Sequence, residues 1–309
     1  VTAVRILVSG EADDKAGHKY LSAIPGVEVV TYDPNDLTLT ELQLAAEILM
    51  PPYRGSHRPY ELVDQMPKLR MVQLLSAGVD EWRPYVPDHV TLASARGGHA
   101  SSVSEWVLSA ILAQLRHWPA LVRFQDEHTW AHRRFDADTL AGKRVLIVGA
   151  GHIGSAVAEK LAAFDADSTL VASAARDGIC APSELPSLIG GHAVVVITAP
   201  LTNDTQGLVD AKFLAAMDDG ALLVNAGRGQ IVDTDALVVE LQSGRLRAAL
   251  DVTDPEPLPS DHPLWSCTGA IISPHSARTV PGTNRRCYAV AAEQIRAFLT
   301  GEVPSNVAR

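Results

Sequence analysis

The sequence predicts an α/β protein built from two doubly wound parallel-sheet domains. Three observations predict this. Short apolar runs recur with helix-spaced stretches between them, the series occurs twice, and the second series opens on a glycine-rich turn between a strand and a helix. With 309 residues the chain is too long for one small core and suits two domains.

The first series begins at Val4–Ser9, an apolar run closing on Ser-Gly, as a strand buried on both faces should look. Val27–Tyr32 repeats it and meets Asp-Pro-Asn punctuation. Glu47–Met50, Met71–Leu75 and Thr91–Ala95 follow, the second closing on Ser76-Ala77-Gly78. Thr40–Ala46 carries helical spacing between them. Gly97-Gly98 then breaks the chain, and Ser101–Leu115 reads as a long helix rich in Ala, Leu and Val. Arg116–Asp138 is polar and aromatic, with Trp118, Phe124, Trp130 and Phe135, and makes no evident core. A dimer arm or a domain-covering segment fits it.

The second series has strands at Arg144–Gly149, Ser168–Ser173, Ala193–Thr198, Ala221–Asn225, Arg247–Leu250 and Ala270–Ser273. Helices fit at His152–Phe164, Asp210–Met217 and Asp233–Ser243. A last helix at about Val280–Thr300 follows the completed series and is placed to cross back to the first domain.

Composition narrows the function. Nearly half the residues are apolar (47%) and a fifth charged (20%), as in an ordinary globular protein. The net charge of −10, with no Lys/Arg run, argues against a general nucleic-acid binder. An acidic surface also repels anions, so an anionic substrate needs a local cationic pocket. Cys180, Cys267 and Cys287 form no CxxC and have no His at ligand spacing, so we read them as thiols and expect no metal. No apolar stretch reaches the roughly 18 residues of a membrane span, and no signal-peptide pattern opens the chain. We expect a cytoplasmic protein without a membrane partner.

The turn Gly149-Ala150-Gly151-His152-Ile153-Gly154 lies between strand Val145–Val148 and a helix start rich in small residues. In that context the pattern marks a dinucleotide site. The first Gly allows the tight turn, the second admits the pyrophosphate to the backbone, and the third lets helix and strand pack closely. His152 and Ile153 would offer N–H groups at the helix N-terminus. An acid should end the next strand to bind the ribose hydroxyls. That strand ends Leu170-Val171-Ala172-Ser173, with Arg176 beyond it and no acid. Losing the carboxylate removes repulsion against a 2′-phosphate, and Arg176 could pair with one. NAD and NADP both stay open, with NADP slightly favoured; Arg176 as a solvated surface residue is the competing reading.

Three further loops each follow a strand, where ligands of such sheets bind. They are Asn225-Ala226-Gly227-Arg228-Gly229, Asp251–Pro257 around Glu256, and Ser273-Pro274-His275-Ser276-Ala277. Each alone has a structural reading: a loop arginine capping a helix, a turn glutamate, a hydrogen-bonding histidine. Arg flanked by glycines has room to reach an anion. Together, downstream of a dinucleotide turn, Arg, Glu and His suit carbonyl reduction.

With Pro200-Leu-Thr-Asn-Asp-Thr205 added, the order and spacing of these motifs resemble the D-isomer-specific 2-hydroxyacid dehydrogenase family, over nearly the whole chain. That family includes glyoxylate/hydroxypyruvate reductases and phosphoglycerate dehydrogenases. The resemblance implies a Rossmann nucleotide domain, here 97–280, inserted in a flavodoxin-like substrate domain made of 1–96 and 281–309, usually as a homodimer. It implies that Arg228 holds the substrate carboxylate and polarises the keto oxygen. His275 would donate a proton to that oxygen, and Glu256 would pair with His275 and favour its protonated form. Ala77, Gly78 and Val79 would cradle the carboxylate of a small anionic 2-oxo acid. Cofactor contacts would come from Gly149, Gly151, His152, Ile153, Gly154, Ser173, Arg176, Thr198, Pro200, Thr205, Ala226, Gly227, Arg228, Asp251, His275 and Ala277.

The chain departs from the family at the missing strand-end acid and at Ser276-Ala277-Arg278, where many members carry a small or Gly-rich run. Arg278, Tyr53 and Arg54 have no assigned role. Competing functions are a 3-phosphoglycerate or phosphite dehydrogenase on the same fold, and a nucleotide-sensing binding protein. The full Arg228, Glu256 and His275 set favours an enzyme that reduces a glyoxylate-type 2-oxo acid.

Overall fold

The computed structural model describes residues 3–53, 58–132, 134 and 136–308. Two compact units divide the chain, Val1–His99 with Val280–Arg309, and Ala100–Thr279.

The first unit carries strands β1 (Val4–Ser9), β2 (Val27–Tyr32), β3 (Ile48–Met50), β4 (Met71–Gln73) and β5 (Thr91–Ala93), with helices α1 (Ala12–Ser22), α2 (Glu41–Leu44) and α3 (Leu62–Gln65). All strand pairs are parallel, in the order β2-β1-β3-β4-β5. Both faces are covered, which is why the strands read as apolar runs rather than alternations. Ile6, Val8, Ile48 and Met50 pack on one side with Leu21, Tyr288, Ala291 and Ile295. Leu7, Leu49 and Val72 pack on the other with Leu62, Val63 and Trp82. Helix α1 had no clear apolar period, because its buried stripe is Asp14, Gly17 and Leu21. Helix α2 is shorter than its sequence spacing but begins at the expected Thr40, in a capping box with Gln43.

The second unit opens with α4 (Ala100–Leu115) and α5 (Trp118–Asp126). Its strands are β6 (Arg144–Val148), β7 (Asp167–Val171), β8 (Val194–Ile197), β9 (Leu222–Asn225), β10 (Arg247–Leu250) and β11 (Ala270–Ile272). Between them run α6 (His152–Ala162), α7 (Leu185–Leu188), α8 (Ala211–Ala216) and α9 (Thr234–Gln242). The chain ends with α10 (Thr283–Leu299), whose residues belong to the first unit. Asp210 and Asp233 are the N-caps of α8 and α9, accepting from Phe213 and Ala236.

The second sheet is parallel in the order β11-β10-β9-β8-β6-β7. A single parallel bridge, Val171 to Cys180, lies beyond β7. Strand direction of growth reverses between β6 and β8, which makes their carboxyl ends a switch point where ligands bind. Val145 and Ile147 face the α4 and α6 side, and Leu146 and Val148 face the α8 and α9 side, so this sheet too is buried twice.

The aromatic stretch after α4 forms α5, which the sequence did not announce as a helix. None of its residues is buried. Trp118 is exposed, and Trp130 is 91% exposed. Phe135 lies outside the described residues. Among the described residues no helix is long and apolar enough to cross a membrane.

Candidate active site

Because the second sheet is parallel, the loops after its six strands all leave from one edge. The glycine turn follows β6. Gly149 has φ +115°, and a Cβ there would lie 2.4 Å from the Ala199 nitrogen. A Cβ at Gly154 would lie 2.2 Å from the Gly149 carbonyl oxygen. Packing therefore demands glycine at both positions. Gly151 differs: its φ is −87°, and a Cβ would meet nothing within 4 Å. Neither strain nor packing calls for glycine there, so the open space above its backbone fits an approaching phosphate. His152, Ile153 and Gly154 begin α6, where N–H groups lack intrahelical acceptors. These features fit a dinucleotide.

After β7 the chain makes a tight turn at Asp177-Gly178, closed by paired bonds between Arg176 and Ile179. The Arg176 Nη2 donates to the Ala150 carbonyl at 2.6 Å. Its guanidinium thus reaches the glycine turn although the residue is exposed, as is Ser173. After β8, the Thr198 hydroxyl donates to the Gly149 carbonyl at 2.8 Å. The Thr205 hydroxyl donates to the Pro200 carbonyl at 2.6 Å and closes its own loop.

After β9, Asn225 shapes the arginine loop. Its Oδ1 accepts from Gly227 N at 3.0 Å and its Nδ2 donates to the Arg228 carbonyl at 2.9 Å. Arg228 Nη1 donates to the Gly227 carbonyl at 2.9 Å. The flanking glycines answer to packing rather than to room for an anion. A Cβ at Gly227 would lie 2.8 Å from the Ala199 carbonyl oxygen, and one at Gly229 would lie 2.0 Å from that of Thr253. Ala226 lies half-buried between them and the strand.

The loops after β10 and β11 meet. His275 Nδ1 lies 2.7 Å from Glu256 Oε1, with the side chains 32% and 38% exposed. Partial burial pushes the Glu256 carboxyl up, but the hydrogen bond and charge of His275, with the charge of Arg228, outweigh it and hold it below its ordinary value. Glu256 is therefore an anion at neutral pH. The charge of Arg228 contributes to that lowering, so Arg228 and His275 both favour the carboxylate form of Glu256. His275 sits at φ +50°, a left-handed conformation that costs a non-glycine residue on the order of 1 kcal/mol.

Asp251, 4% exposed, directly follows β10. Its Oδ1 accepts from the Ser273 hydroxyl at 2.6 Å, Ser276 N at 2.8 Å and Ala277 N at 3.0 Å. The sequence marked Asp251 and Ala277 as cofactor contacts; their polar groups are engaged with each other. The roles of Asn225 and Ser273 went unread, although an Asn two residues before Gly is a signal for such a turn.

In the first unit, the turn after β4 is tied by the Ser76 hydroxyl to the Gly78 carbonyl at 2.7 Å. Ala77, Gly78 and Val79 lie half-buried along it. Tyr53 is a core residue, with its N–H 3.4 Å from the Asp14 carboxylate and its ring stacked with His99 at 6.3 Å. Arg54 lies outside the described residues. Arg278 follows the clamped Ala277 and is half-buried. The three cysteines are free thiols. Among the described residues no cluster of three or more His, Cys, Asp or Glu could hold a metal ion.

Residues 108–277 match the family model described as D-isomer specific 2-hydroxyacid dehydrogenase, NAD binding domain. A glyoxylate reductase of Aeropyrum pernix is 33% identical over 80% of this chain and 78% of its own. A D-3-phosphoglycerate dehydrogenase of Mycobacterium bovis is 34% identical over 80% of this chain, but the match spans only 48% of that relative's length. Among solved structures, an NADPH-dependent glyoxylate/hydroxypyruvate reductase from Sinorhizobium meliloti, in complex with NADP and sulfate, superposes with a TM-score of 0.83. It is 26% identical, and the match covers 99% of this chain and 98% of that one. With a matching nucleotide domain, a matching fold and the Arg, Glu and His group in place, the chain belongs to the D-isomer specific 2-hydroxyacid dehydrogenases and is an NAD(P)-dependent oxidoreductase.

Proposed function

We propose that the enzyme reduces a small 2-oxo acid of the glyoxylate or hydroxypyruvate type to the D-2-hydroxy acid. The observation that carries this reading is the 2.7 Å contact of His275 with an ionised Glu256, beside Arg228. With Nδ1 engaged on the carboxylate, Nε2 is the ring nitrogen that presents a proton. His275 passes that proton to the keto oxygen, and Glu256 stabilises the imidazolium until it does. Arg228 pairs with the substrate carboxylate and polarises the keto group, and brings an anion into a protein of net charge −10. The nicotinamide, when bound, supplies the hydride to the keto carbon. In the reverse direction His275 takes the hydroxyl proton.

NADPH is the preferred donor in this reading. The strand-end acid is absent, and Arg176 is bound to the glycine turn through Ala150. There its charge suits a 2′-phosphate. A second copy of the chain is the proposed partner, because α5 buries none of its own residues and Trp130 stands in solvent. The substrate carboxylate cradle at Ala77, Gly78 and Val79 rests on the family resemblance.

The test follows NADH and NADPH oxidation over glyoxylate, hydroxypyruvate, 3-phosphohydroxypyruvate and other small 2-oxo acids. Glyoxylate or hydroxypyruvate should give the highest kcat/KM, with NADPH ahead of NADH and that lead lost in Arg176→Ala. His275→Ala should lose at least ~100-fold in kcat while NADPH binding survives. Wild-type turnover by His275→Ala would overturn the assigned chemistry.

A further inference from the structure

Ser273, His275, Ser276 and Ala277 each give a hydrogen bond to one residue. The Asp251 backbone carbonyl accepts from His275 N at 2.7 Å. Its carboxylate accepts from the Ser273 hydroxyl, Ser276 N and Ala277 N at 2.6, 2.8 and 3.0 Å, and a second oxygen reaches Ala277 N at 3.2 Å. Pro274, the remaining member of the loop, has no N–H to give. At the centre of this set stands His275, held at φ +50°.

We infer that Asp251 is a positioning residue that holds His275 in its left-handed conformation and so aims the imidazole at Glu256. A carboxylate suits the place better than an amide. Three donors converge on Oδ1 and Ala277 N also reaches Oδ2 at 3.2 Å, where an Asn would present an N–H donor of its own. In Asp251→Asn the amide group would face either the Ala277 N–H or the backbone donors beside it. The bonds that Ser276 and Ala277 give to Asp251 also occupy their N–H groups, which therefore cannot serve as an anion hole. The kinetic part of this inference rests on the 2-oxo acid reductase reading; the structural part does not.

The experiment compares the full-length wild type with Asp251→Ala, Asp251→Asn and the milder Ser273→Ala. Amide hydrogen exchange is read in the protein without added ligand. Exchange at Ser276 and Ala277 should accelerate at least ~10-fold in Asp251→Ala, less in Asp251→Asn and least in Ser273→Ala, with the amides of β8 and β9 unchanged. The His275 ring resonances should lose their wild-type shifts in the same order. In turnover of the best 2-oxo acid, kcat should fall at least ~10-fold while the KM for NADPH stays within about threefold. Unchanged protection of Ser276 and Ala277 in Asp251→Ala overturns the inference. So does a loss that appears wholly as a raised NADPH KM. If the wild type turns over no 2-oxo acid, the functional reading fails while exchange and ring shifts still decide the clamp. If Asp251→Ala does not fold, the same measurements on Ser273→Ala decide, and an unaltered loop there counts against it.

Discussion

Replacing Glu256 by Gln removes one charge and keeps the shape and a hydrogen-bond acceptor. The carboxylate lies 2.7 Å from His275 Nδ1, so the charge centres are about 4 Å apart. Two unit charges at that distance interact by about 1 kcal/mol in water and about 4 kcal/mol at an effective dielectric of 20. Both side chains are about a third exposed, at 32% and 38%, and solvent screening pulls the value toward the lower figure. A difference of about 1.4 kcal/mol is tenfold in rate. Reduction passes a proton from His275 to the substrate, and the Glu256 charge is placed to support that transfer. Glu256→Gln should therefore lower reductive kcat by about five- to tenfold. The pH dependence follows from Glu256 itself. Its carboxyl is held below its ordinary value, so the charged partner is fully present above the ordinary carboxylate range and is lost as pH falls through the folded-state value. The difference between wild type and variant should therefore be full at neutral pH and shrink only in acid. Steady-state rates of both proteins, measured over overlapping buffers at constant ionic strength, check this. Equal kcat at neutral pH, or a difference that grows in acid, would refute the carboxylate as the support of the proton transfer.

Three further outcomes concern the glycine turn and the exposed aromatic segment around α5. Gly151→Ala should leave thermal stability near wild type, since its Cβ meets nothing within 4 Å, yet weaken NADPH binding by ~10-fold or more, measured by titration. Gly154→Ala should instead cost about 1–3 kcal/mol of stability in denaturant melts, because its Cβ would lie 2.2 Å from the Gly149 carbonyl oxygen. If both variants behave alike, the division between packing and ligand glycines is wrong. Replacing Trp118 and Trp130 together by Ser should shift the protein toward monomer in sedimentation, while a wild type that is itself monomeric at micromolar concentration removes the proposed dimer arm.

The sheets were legible because parallel strands buried on both faces must be continuously apolar. Val4–Ser9, Val27–Tyr32 and Arg247–Leu250 are bounded in the structure where the sequence bounds them. The helices were legible in proportion to how apolar their buried stripe is. Helix α9 buries Leu237, Val238 and Leu241 and announces itself, whereas α1 buries Asp14 and Gly17 and does not. Asp14 is tolerated inside because Tyr288 and the Tyr53 backbone donate to it, and those partners are distant in sequence. Strand order could not be read from local pattern either. The reversal between β6 and β8 depends on which crossover packs where, yet it decides where a ligand can sit.

The reactive group was legible for a different reason. Arg228, Glu256 and His275 stand on loops at strand carboxyl ends, and a parallel sheet brings such loops to one edge whatever the intervening sequence. What the loops do not reveal is which polar residue faces a ligand and which braces a neighbour. Thr198, just past β8, Thr205, in the loop after β8, and Asp251, just past β10, all carry the mark of a contact residue, a small polar side chain at the carboxyl edge of the sheet. In the fold the first binds the Gly149 carbonyl, the second the Pro200 carbonyl and the third the His275 loop. The ambiguity is physical. A backbone donor or carbonyl left unpaired at a strand end can be met by a ligand atom or by a side chain of the protein, and both solutions select the same residue types at the same spacing. Only the count of converging donors separates them, and at Asp251 that count points to a residue whose effect on catalysis passes through His275.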